Sequence, residues 1–316
     1  MKKKLRIGTR DSQLAVWQAT LVLQLLKEKG IPSELVYMKS EGDIDLVTPL
    51  YAMGVQGVFT KTLDAALLSN TIDIAVHSMK DVPTQLAKGI VQAAVLPRAN
   101  YKDILVVKDN FTTIQEILNQ PYTTTSHLPL TIATSSIRRK AQWLNRYPNH
   151  HIENLRGNVN TRLKKVTDNN WHGAIFAAAG LERINLRPNT SIELNWMLPA
   201  PAQGAITIVC KEEDNNTKEI ISLLNDTNTD VCTKIERDFL KTLMGGCSTP
   251  ISALAEIKDD TVYFKGNIFS LDGKEKKEIE VTTSINESDN VGIDAAKTLL
   301  NNGADKIVEA IKNAGK

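Results

Sequence analysis

The chain has 316 residues, of which 42% are hydrophobic and 23% are charged. This length is enough for two or three domains, and the composition is that of an ordinary globular protein. The formal net charge of +2 gives no overall indication of nucleic-acid binding. No run of about 18 apolar residues indicates a transmembrane helix. The N-terminus, with three lysines before a polar stretch, does not resemble a secretory signal peptide.

Three cysteines, Cys210, Cys232 and Cys247, are an odd number without a C-x-x-C pair. This usage argues against a disulfide framework and against a zinc site, so we expect a reducing, cytoplasmic setting and no metal. We expect Cys210 and Cys232 to be core residues. Cys247 instead follows two glycines in LMGGCSTP (243–250), a segment that presents a thiol better than it packs one. Because the sequence shows no activator of the thiol, a packing role for Cys247 stays equally open.

The first part of the chain alternates strand and helix. The pattern predicts strands over 4–8, 33–39 and 71–78, and helices over 12–29 and 59–70. Asp11 or Ser12 is the expected cap of the first helix. A strand, a helix and a strand in this order favour a parallel α/β sheet.

The same alternation then begins again. The pattern predicts strands over 103–107, 130–134, 151–155 and 173–179, helices over 112–119, 136–146 and 158–168, and a loop over 120–129. The openings of the two parts are alike, since RIGTRDSQLAVWQ (6–18) and TIATSSIRRKAQW (131–143) both lead from a strand through a polar turn into a helix with a tryptophan. An internal duplication follows from this likeness.

The last part has a different pattern. A proline-rich segment over 198–204 indicates a crossing between domains, and a strand is expected over 205–210. A polar stretch over 211–230 precedes a helix over 230–244, strands over 261–270 and 276–285, and a final helix over 292–313. This order predicts a small α+β domain after two α/β domains.

Six arginines lie at the junctions between predicted elements: Arg10, Arg138, Arg139, Arg156, Arg162 and Arg183. Ligands of open parallel sheets bind beyond the carboxyl ends of the strands, where these junctions lie. A single arginine there is more often part of a solvated face or an ion pair. The set of six favours an anion site, and carboxylates suit guanidinium groups as well as phosphates do. Nucleotide-binding glycine motifs are missing from the sequence, so a nucleotide is unsupported.

A candidate acid follows the predicted strand in IDIAVHSMKDVP (72–83). Asp81 beside Lys80 at the carboxyl end of a strand can act as a general acid or as the counter-ion of a cationic intermediate. By itself the pair is more simply a surface ion pair in a turn. We expect His77 to be a structural histidine.

Taken together, these segments resemble the porphobilinogen deaminase (hydroxymethylbilane synthase) family. The matching stretches, in chain order, are RIGTRDSQLAVWQA (6–19), GVFTKTLDAALL (57–68), DIAVHSMKDVPT (73–84), ATSSIRRKAQ (133–142), LRGNVNTRL (155–163), AIFAAAGLERI (174–184), LPAPAQGAI (198–206) and GGCSTPISA (245–253). The resemblance implies a transferase that joins four porphobilinogen molecules head to tail, with loss of ammonia, and releases a linear tetrapyrrole for porphyrin and heme biosynthesis.

The resemblance also implies roles for individual residues. Cys247 is the expected thioether attachment point of a dipyrromethane cofactor, and Asp81 is the expected catalytic acid. The expected cofactor-binding residues are Lys80, Ser12, Thr134, Ser136, Arg138, Arg139 and Arg162. The expected contacts of porphobilinogen or the growing chain are Arg10, Arg156, Arg183 and Phe59.

The fold implied by the resemblance is two α/β domains like those of periplasmic binding proteins, plus a small α+β C-terminal domain. We expect domain 1 over 1–102 with about 200–224, domain 2 over 103–199, and domain 3 over 227–316. A cytoplasmic monomer that binds a small molecule, with no nucleic acid and no membrane, is expected. Three places depart from the family's usual pattern: Gln13 where proline is common, Asn160 where glycine is usual, and PAPAQG in place of PAVGQG.

Two other functions compete with this interpretation. A two-domain anion-binding module without chemistry suits the arginines but does not explain the Gly-Gly-Cys segment. A nucleic-acid binder is disfavoured by the net charge and by the lack of aromatic residues among the arginines. Neither alternative predicts a covalent adduct on Cys247.

Overall fold

The computed structural model describes residues 4–39, 60–108, 111–119, 129–243 and 249–314. Phe59, Cys247 and most of the loop predicted over 120–129 lie outside these residues. The described strands form two sheets of five strands and one sheet of three.

The strands and helices alternate through most of the chain. The strands are β1 (Leu5–Arg10), β2 (Ser33–Met38), β3 (Ile74–Ser78), β4 (Ile90–Val95), β5 (Asp103–Val107), β6 (Thr131–Ala133), β7 (His151–Glu153), β8 (Gly173–Ala177), β9 (Ser191–Glu193), β10 (Ile206–Lys211), β11 (Ile251–Lys258), β12 (Thr261–Phe269) and β13 (Lys276–Ser284). The α-helices are α1 (Gln13–Glu28), α2 (Lys61–Leu68), α3 (Phe111–Asn119), α4 (Ile137–Arg146), α5 (Val159–Asp168), α6 (Ala178–Glu182), α7 (Asn215–Ser222), α8 (Thr227–Leu243), α9 (Val291–Leu299) and α10 (Asp305–Ala314).

Three lobes follow from the sheets. The first lobe holds β1–β4 and β10 with α1, α2 and α7, the second holds β5–β9 with α3–α6, and the third holds β11–β13 with α8–α10. Strand order is β2-β1-β3-β10-β4 in the first lobe and β7-β6-β8-β5-β9 in the second. The two orders correspond position by position, and β1 and β6, which begin the similar segments, occupy the same place. In each sheet the fourth strand runs antiparallel to the third.

Within each of the first two lobes, buried apolar side chains hold the helices against the sheet. In the first lobe Ala19, Val22 and Leu26 of α1 are fully buried against Ile7 and Ile74, which pair in parallel strands. In the second lobe all five residues of β5 are buried. Burying a large aliphatic side chain contributes about 1.5–3 kcal/mol, so these faces drive the layering of helices on sheet.

The third lobe is an antiparallel meander of three strands covered by helices. Strand β11 was not predicted, although the strands that follow it were. The single final helix predicted over 292–313 is wrong, because a π-helical segment at Leu300–Ala304 separates α9 from α10. Within it Asn302 leaves the helical conformation and Gly303 has φ +94°, a region that favours glycine.

Other elements differ modestly from expectation. Strands β4 and β9 were missed, and the polar stretch over 211–230 contains α7, whose cap Asp214 accepts a hydrogen bond from Thr217 N at 3.0 Å. Strand β10 was predicted, and it pairs with β3 and β4 of the first lobe, as expected for a strand that returns there. Within the described ranges, no helix has the length and apolar character needed to span a membrane.

A buried ion pair fixes the third lobe to the two connections between the first two lobes. One connection, between β4 and β5, contains Arg98, and the other is the crossing segment over 198–204. Glu236 of α8 is fully buried and bonds Arg98 Nη1 at 2.5 Å. The same carboxylate accepts hydrogen bonds from Ala202 N at 2.6 Å and from Ala255 N at 2.7 Å. Because a buried charge without partners costs several kcal/mol, this network holds the three segments in one arrangement.

Candidate active site

A cleft of about 700 Å³ lies between the first two lobes, with α8 and the crossing segment closing one side. The carboxyl ends of β1, β3, β6 and β8 meet there, which is where open α/β sheets bind ligands. Eleven of the predicted site residues line it: Arg10, Ser12, Lys80, Asp81, Thr134, Ser136, Arg138, Arg139, Arg156, Arg162 and Arg183. The two remaining predicted residues, Phe59 and Cys247, lie outside the described residues.

Charge distinguishes this cleft from the other large groove. The described residues that line the cleft include eight basic side chains, namely the seven predicted cationic residues and Arg237. They include two carboxylates, Asp11 and Asp81. A groove of about 470 Å³ in the third lobe has acidic residues such as Glu287 and Asp294, and none of its described lining residues is a lysine or an arginine. The cleft is therefore the part of the described surface suited to a polyanion.

Arg138 and Arg139 lie in the first turn of α4 and are almost completely buried. Both pair with Asp103, the first residue of β5, at 2.8 Å from Arg138 Nη1 and 2.7 Å from Arg139 Nη2. Arg139 Nη1 also donates to the Ile175 carbonyl at 2.9 Å. Two guanidinium groups thus share one buried carboxylate, which leaves net positive charge at the wall of the cleft.

Asp103 stays ionised because of these neighbours. Burial alone would raise the pKa of its carboxyl, but Arg138 and Arg139 outweigh burial and hold that pKa well below its usual range. Gln203 Nε2 donates to Asp103 Oδ1 at 3.0 Å, and Gln203 Oε1 accepts from Lys80 Nζ at 3.1 Å. One glutamine therefore connects cationic residues of both lobes.

Among the lysines and arginines that line the described cleft, Lys80 has the pKa closest to neutral pH. Burial lowers its pKa from 10.5 to about 8, and the charges of Arg139 and Arg138 act in the same direction. Asp81 and Asp103 oppose the change. Lys80 is therefore still mainly cationic at pH 7, and it loses its charge in mildly alkaline solution.

Asp81 ends a 3-10 turn, Met79–Asp81, directly after β3, and its side chain is exposed to the cleft. Arg237 of α8 holds this turn from the third lobe. Its guanidinium donates to the carbonyls of Met79, Val82 and Pro83 at 3.3, 3.0 and 2.5 Å. The candidate acid is thus presented on a backbone that a second lobe fixes in place.

Arg156 and Arg162 flank the start of α5. Arg156 is buried, and Arg162 Nε donates to the Gly157 carbonyl at 2.7 Å. Gly157 has φ +114°, which allows the sharp turn before the cap residue Asn158. Burial lowers the pKa of Arg162 to about 10, with Arg139 and Arg156 acting in the same direction and Asp81 opposing. Arg156 and Arg162 therefore both add positive charge to the wall of the cleft.

The predicted hydroxyl groups lie at helix starts. Ser136 is the cap of α4 and accepts a hydrogen bond from Arg139 N at 3.4 Å, while Thr134 Oγ1 accepts from Ser136 N at 3.2 Å. Ser12 occupies the cap position of α1 without a side-chain capping bond. Free helix N-termini and hydroxyls next to arginines favour anions.

Arg183 connects the second lobe to the first lobe and to the crossing segment. Its guanidinium lies 5.7 Å from the centroid of the Trp17 ring, and Nη2 donates to the Gly204 carbonyl at 2.7 Å. Burial lowers its pKa to about 10, and Glu182 opposes the change. Arg10 lines the opposite wall at the end of β1.

His77, Cys210 and Cys232 do not have the protonation states needed for acid–base or nucleophilic chemistry at neutral pH. Burial, with a smaller effect of Arg10, lowers the pKa of His77 to about 4, so this histidine is neutral near pH 7. Cys210 and Cys232 are buried, as expected, and burial raises their pKa values to about 11 and about 12. Neither thiol is a nucleophile at neutral pH.

Three functional candidates were missed in the sequence: Asp103, Gln203 and Arg237. Gln203 lies in the quoted segment LPAPAQG, where one amide among apolar residues could have indicated a specific hydrogen-bonding role. Asp103 opens an otherwise apolar strand, which is a similar signal. Arg237 gives no local signal, because its partners are more than 150 residues away in the chain.

These features define a class of protein: a three-lobed α/β protein with a cationic cleft between two of the lobes, which suits a polycarboxylate and exposes a carboxylate, Asp81. Comparisons with known proteins make the class more specific. Residues 5–219 match the family model "Porphobilinogen deaminase, dipyromethane cofactor binding domain", and residues 231–301 match "Porphobilinogen deaminase, C-terminal domain".

Curated relatives extend over the whole chain. A porphobilinogen deaminase of Chlorobium phaeobacteroides is 39% identical over 99% of this chain and 99% of its own length. That of Syntrophotalea carbinolica is 39% identical over 97% of this chain and 96% of its own. Among solved structures, the methionine binding protein MetQ is similar with a TM-score of 0.42 and 13% identity, over 70% of this chain and 89% of that one.

The chain belongs to the porphobilinogen deaminase (hydroxymethylbilane synthase) family. It is a transferase of tetrapyrrole biosynthesis with a dipyrromethane cofactor, and its fold has the expected two α/β units and small C-terminal domain. Its reaction is the stepwise condensation of four porphobilinogen molecules, with loss of ammonia, into hydroxymethylbilane.

Proposed function

We propose that this condensation takes place in the cleft between the first two lobes, with Asp81 as the catalytic residue and Cys247 as the thioether attachment point of the cofactor. The observation that carries the proposal is the assembly of eleven predicted residues, drawn from distant segments, around one cationic cavity. Leu240 and Thr249, which lie on either side of the Cys247 segment in the chain, also line that cavity.

The described residues fit a dipyrromethane group. Each of its pyrrole rings carries an acetate and a propionate, and the cleft offers an excess of cations in a volume of about 700 Å³. Lys80, Ser12, Thr134, Ser136, Arg138, Arg139 and Arg162 would hold these carboxylates. When bound, the group supplies the pyrrole carbon to which the first substrate unit is joined.

Substrate binding is assigned to the residues around the rest of the cleft. Arg10 and Arg156 lie on different lobes, so together they would bind the carboxylates of an incoming porphobilinogen or of the growing chain. Arg183 would add a further contact beside the crossing segment. Phe59, by family resemblance, would contact a pyrrole ring.

Asp81 would act at the amine of the substrate. Its carboxylate would stabilise the positive charge that develops as ammonia leaves, and its oxygens would take up the proton that the pyrrole carbon releases as the new bond forms. Lys80 and Arg162 are close enough to Asp81 for its charge to raise their pKa values against the effect of burial.

The proposal also includes the ranges of the three domains and the cellular setting of the protein. Domain 1 covers 1–102 with about 200–224, domain 2 covers 103–199, and domain 3 covers 227–316, which follows the division into lobes. The protein acts as a cytoplasmic monomer on a small molecule, without nucleic acid. The full-length similarity to a family of biosynthetic enzymes supports this setting.

The intact mass of the purified protein tests the proposal. We expect an excess equal to two linked pyrrole units in the wild-type chain and none in Cys247→Ala or in the folded, inactive Cys247→Ser. Cys232→Ala is the matched control and should keep the excess. A wild-type protein that stays unmodified after incubation with porphobilinogen would contradict the proposal and favour an anion-binding module.

A further inference from the structure

Gln13 and Asn160, two of the three places that depart from the family's usual pattern, contact each other across the cleft. Asn160 Nδ2 donates to Gln13 Oε1 at 2.9 Å, although the residues are 147 positions apart. Gln13 is the first residue of α1 in the first lobe, and Asn160 is the second residue of α5 in the second lobe. This hydrogen bond therefore joins the starts of two helices on opposite lobes.

The pair belongs to a row of contacts between α1 and the second lobe. Leu14 Cδ2 lies beside Gly180 of α6, 3.9 Å from where a β-carbon on that glycine would be. One helical turn further on, the centroid of the Trp17 ring lies 5.7 Å from Arg183 Cζ. Residues 13, 14 and 17 thus lie on the face of α1 that meets the second lobe.

The three contacts differ in how they respond to movement. Apolar contact and a guanidinium over a ring tolerate sliding, because neither depends strongly on angle. A hydrogen bond between two side-chain amides is directional, so it must break when the lobes separate. Both side chains are exposed, and water can replace the lost partner on each. The bond can therefore form and break within a catalytic cycle.

Location connects this bond to the proposed reaction. Gln13 is next to Ser12 and close to Arg10, while Asn160 lies between Arg156 and Arg162, and all of these residues line the cleft. The bond therefore spans the cleft between cationic groups on the two walls. Each added pyrrole unit brings two more carboxylates and more volume into the same space, so late additions require a wider cleft than early ones.

We propose that Gln13 and Asn160 are a pair of positioning residues that favours the narrow cleft and thereby sets how readily the late units are added. The proposal rests on the proposed function only for its effect on chain length. The contact between the lobes is independent of any chemistry. Neither residue is assigned a role in touching the reacting atoms.

Hydrogen–deuterium exchange tests the contact without any turnover. In the Cys247→Ala background, Asn160→Ala should raise exchange in residues 13–20 of α1, on the other lobe, and Gln13→Ala should raise it in residues 159–166 of α5. We expect changes of about two- to tenfold, as for one exposed hydrogen bond. Asp168→Ala changes an exposed residue at the far end of α5, about two turns from the contact, and it should leave α1 unaffected. Unchanged exchange in α1 in the Asn160→Ala protein would overturn the proposal.

Intact mass after a limiting amount of porphobilinogen tests the effect on elongation. Asn160→Ala and Gln13→Ala, in the chain that keeps Cys247, should each carry a larger share of long chains than wild type, by about two- to tenfold. The double variant should add little to either single one, because both remove the same bond. A wild-type distribution of chain lengths would overturn the positioning role. Failure of every variant and of the wild type to gain mass would instead contradict the proposed function and leave the exchange result standing.

Discussion

Lys80 Nζ and Gln203 Oε1 lie 3.1 Å apart, although 123 positions separate the two residues in the chain. Gln203 is fully buried, and its amide nitrogen donates both to Asp103 Oδ1 and to the Tyr101 carbonyl. A side chain of the crossing segment thus links the turn that carries Asp81 to the carboxylate that holds Arg138 and Arg139.

Removing this link should weaken both the fold and the site. In Gln203→Leu, we expect the free energy of unfolding to fall by about 1–3 kcal/mol, because buried polar partners lose their hydrogen bonds. Cofactor loading should slow as well. Gln92→Leu removes an exposed amide that bonds Asp230, and it should change stability by less than about 0.5 kcal/mol. Urea denaturation of the wild-type protein and of the two variants measures the free energy of unfolding. Equal losses of this free energy in Gln203→Leu and Gln92→Leu would contradict the prediction.

Arg139→Leu should destabilise the protein and impair assembly of the cofactor. It removes one of two guanidinium groups from the buried Asp103, for which we expect a loss of about 3 kcal/mol. Adding Asp103→Asn should lower the free energy of unfolding further, because the buried Arg138 then loses its charged partner. Loading, followed by intact mass, should stay impaired in the double variant if Arg139 also binds carboxylates. A fully loaded, active Arg139→Leu protein would refute that role.

Asp81→Ala should keep the fold and lose turnover. The side chain is exposed, so its removal costs little stability, whereas loss of a general acid–base group slows the reaction by about 10²- to 10⁴-fold. Asp11→Ala removes the other carboxylate found among the described residues of the cleft, and it should retain activity within a few-fold. Rates of product formation from porphobilinogen compare the two, and normal turnover in Asp81→Ala would remove Asp81 from the mechanism.

Lys80 should titrate near pH 8 when no carboxylate is bound. Burial lowers its pKa to about 8, so the empty cleft of Cys247→Ala loses one positive charge as the pH rises through that value. Bound cofactor carboxylates should raise the pKa again. The ¹⁵N shift of the Lys80 Nζ signal, assigned by its absence in Lys80→Met, gives both values. Identical titration of the empty and loaded proteins would show that Lys80 does not contact the cofactor.

His77 should make stability depend on pH in weakly acidic solution. Its pKa is about 4 in the folded protein and 6.5 without burial, so the unfolded chain binds more protons between these values. The free energy of unfolding should therefore rise with pH from about 4 to 6.5, with a contribution of up to about 3 kcal/mol from this residue. His77→Gln should lack that contribution. Equal slopes for the two proteins in this window would contradict the assignment.

Local sequence patterns predicted most of the helices and strands. Each of these elements buries one face, and this burial places apolar residues at a regular spacing in the sequence. Strand β5 was predicted with its observed bounds, and α4 and α5 differ by one residue at their starts. Failures occurred where the signal was short or interrupted. Strands β4, β9 and β11 were missed, and the final helix was drawn through Gly303, whose positive φ ends the regular helix.

The sequence by itself determined the family, and it indicated a candidate acid, a set of arginines at the ends of strands and an unusual cysteine, because these depend on residue type within short segments. Only the tertiary structure decided that Asp103 neutralises part of the charge of two arginines, that Gln203 and Arg237 support the turn that carries Asp81, and that Gln13 meets Asn160. Each of these contacts joins residues far apart in the chain. Their partners depend on how the lobes pack, and no local periodicity carries that information.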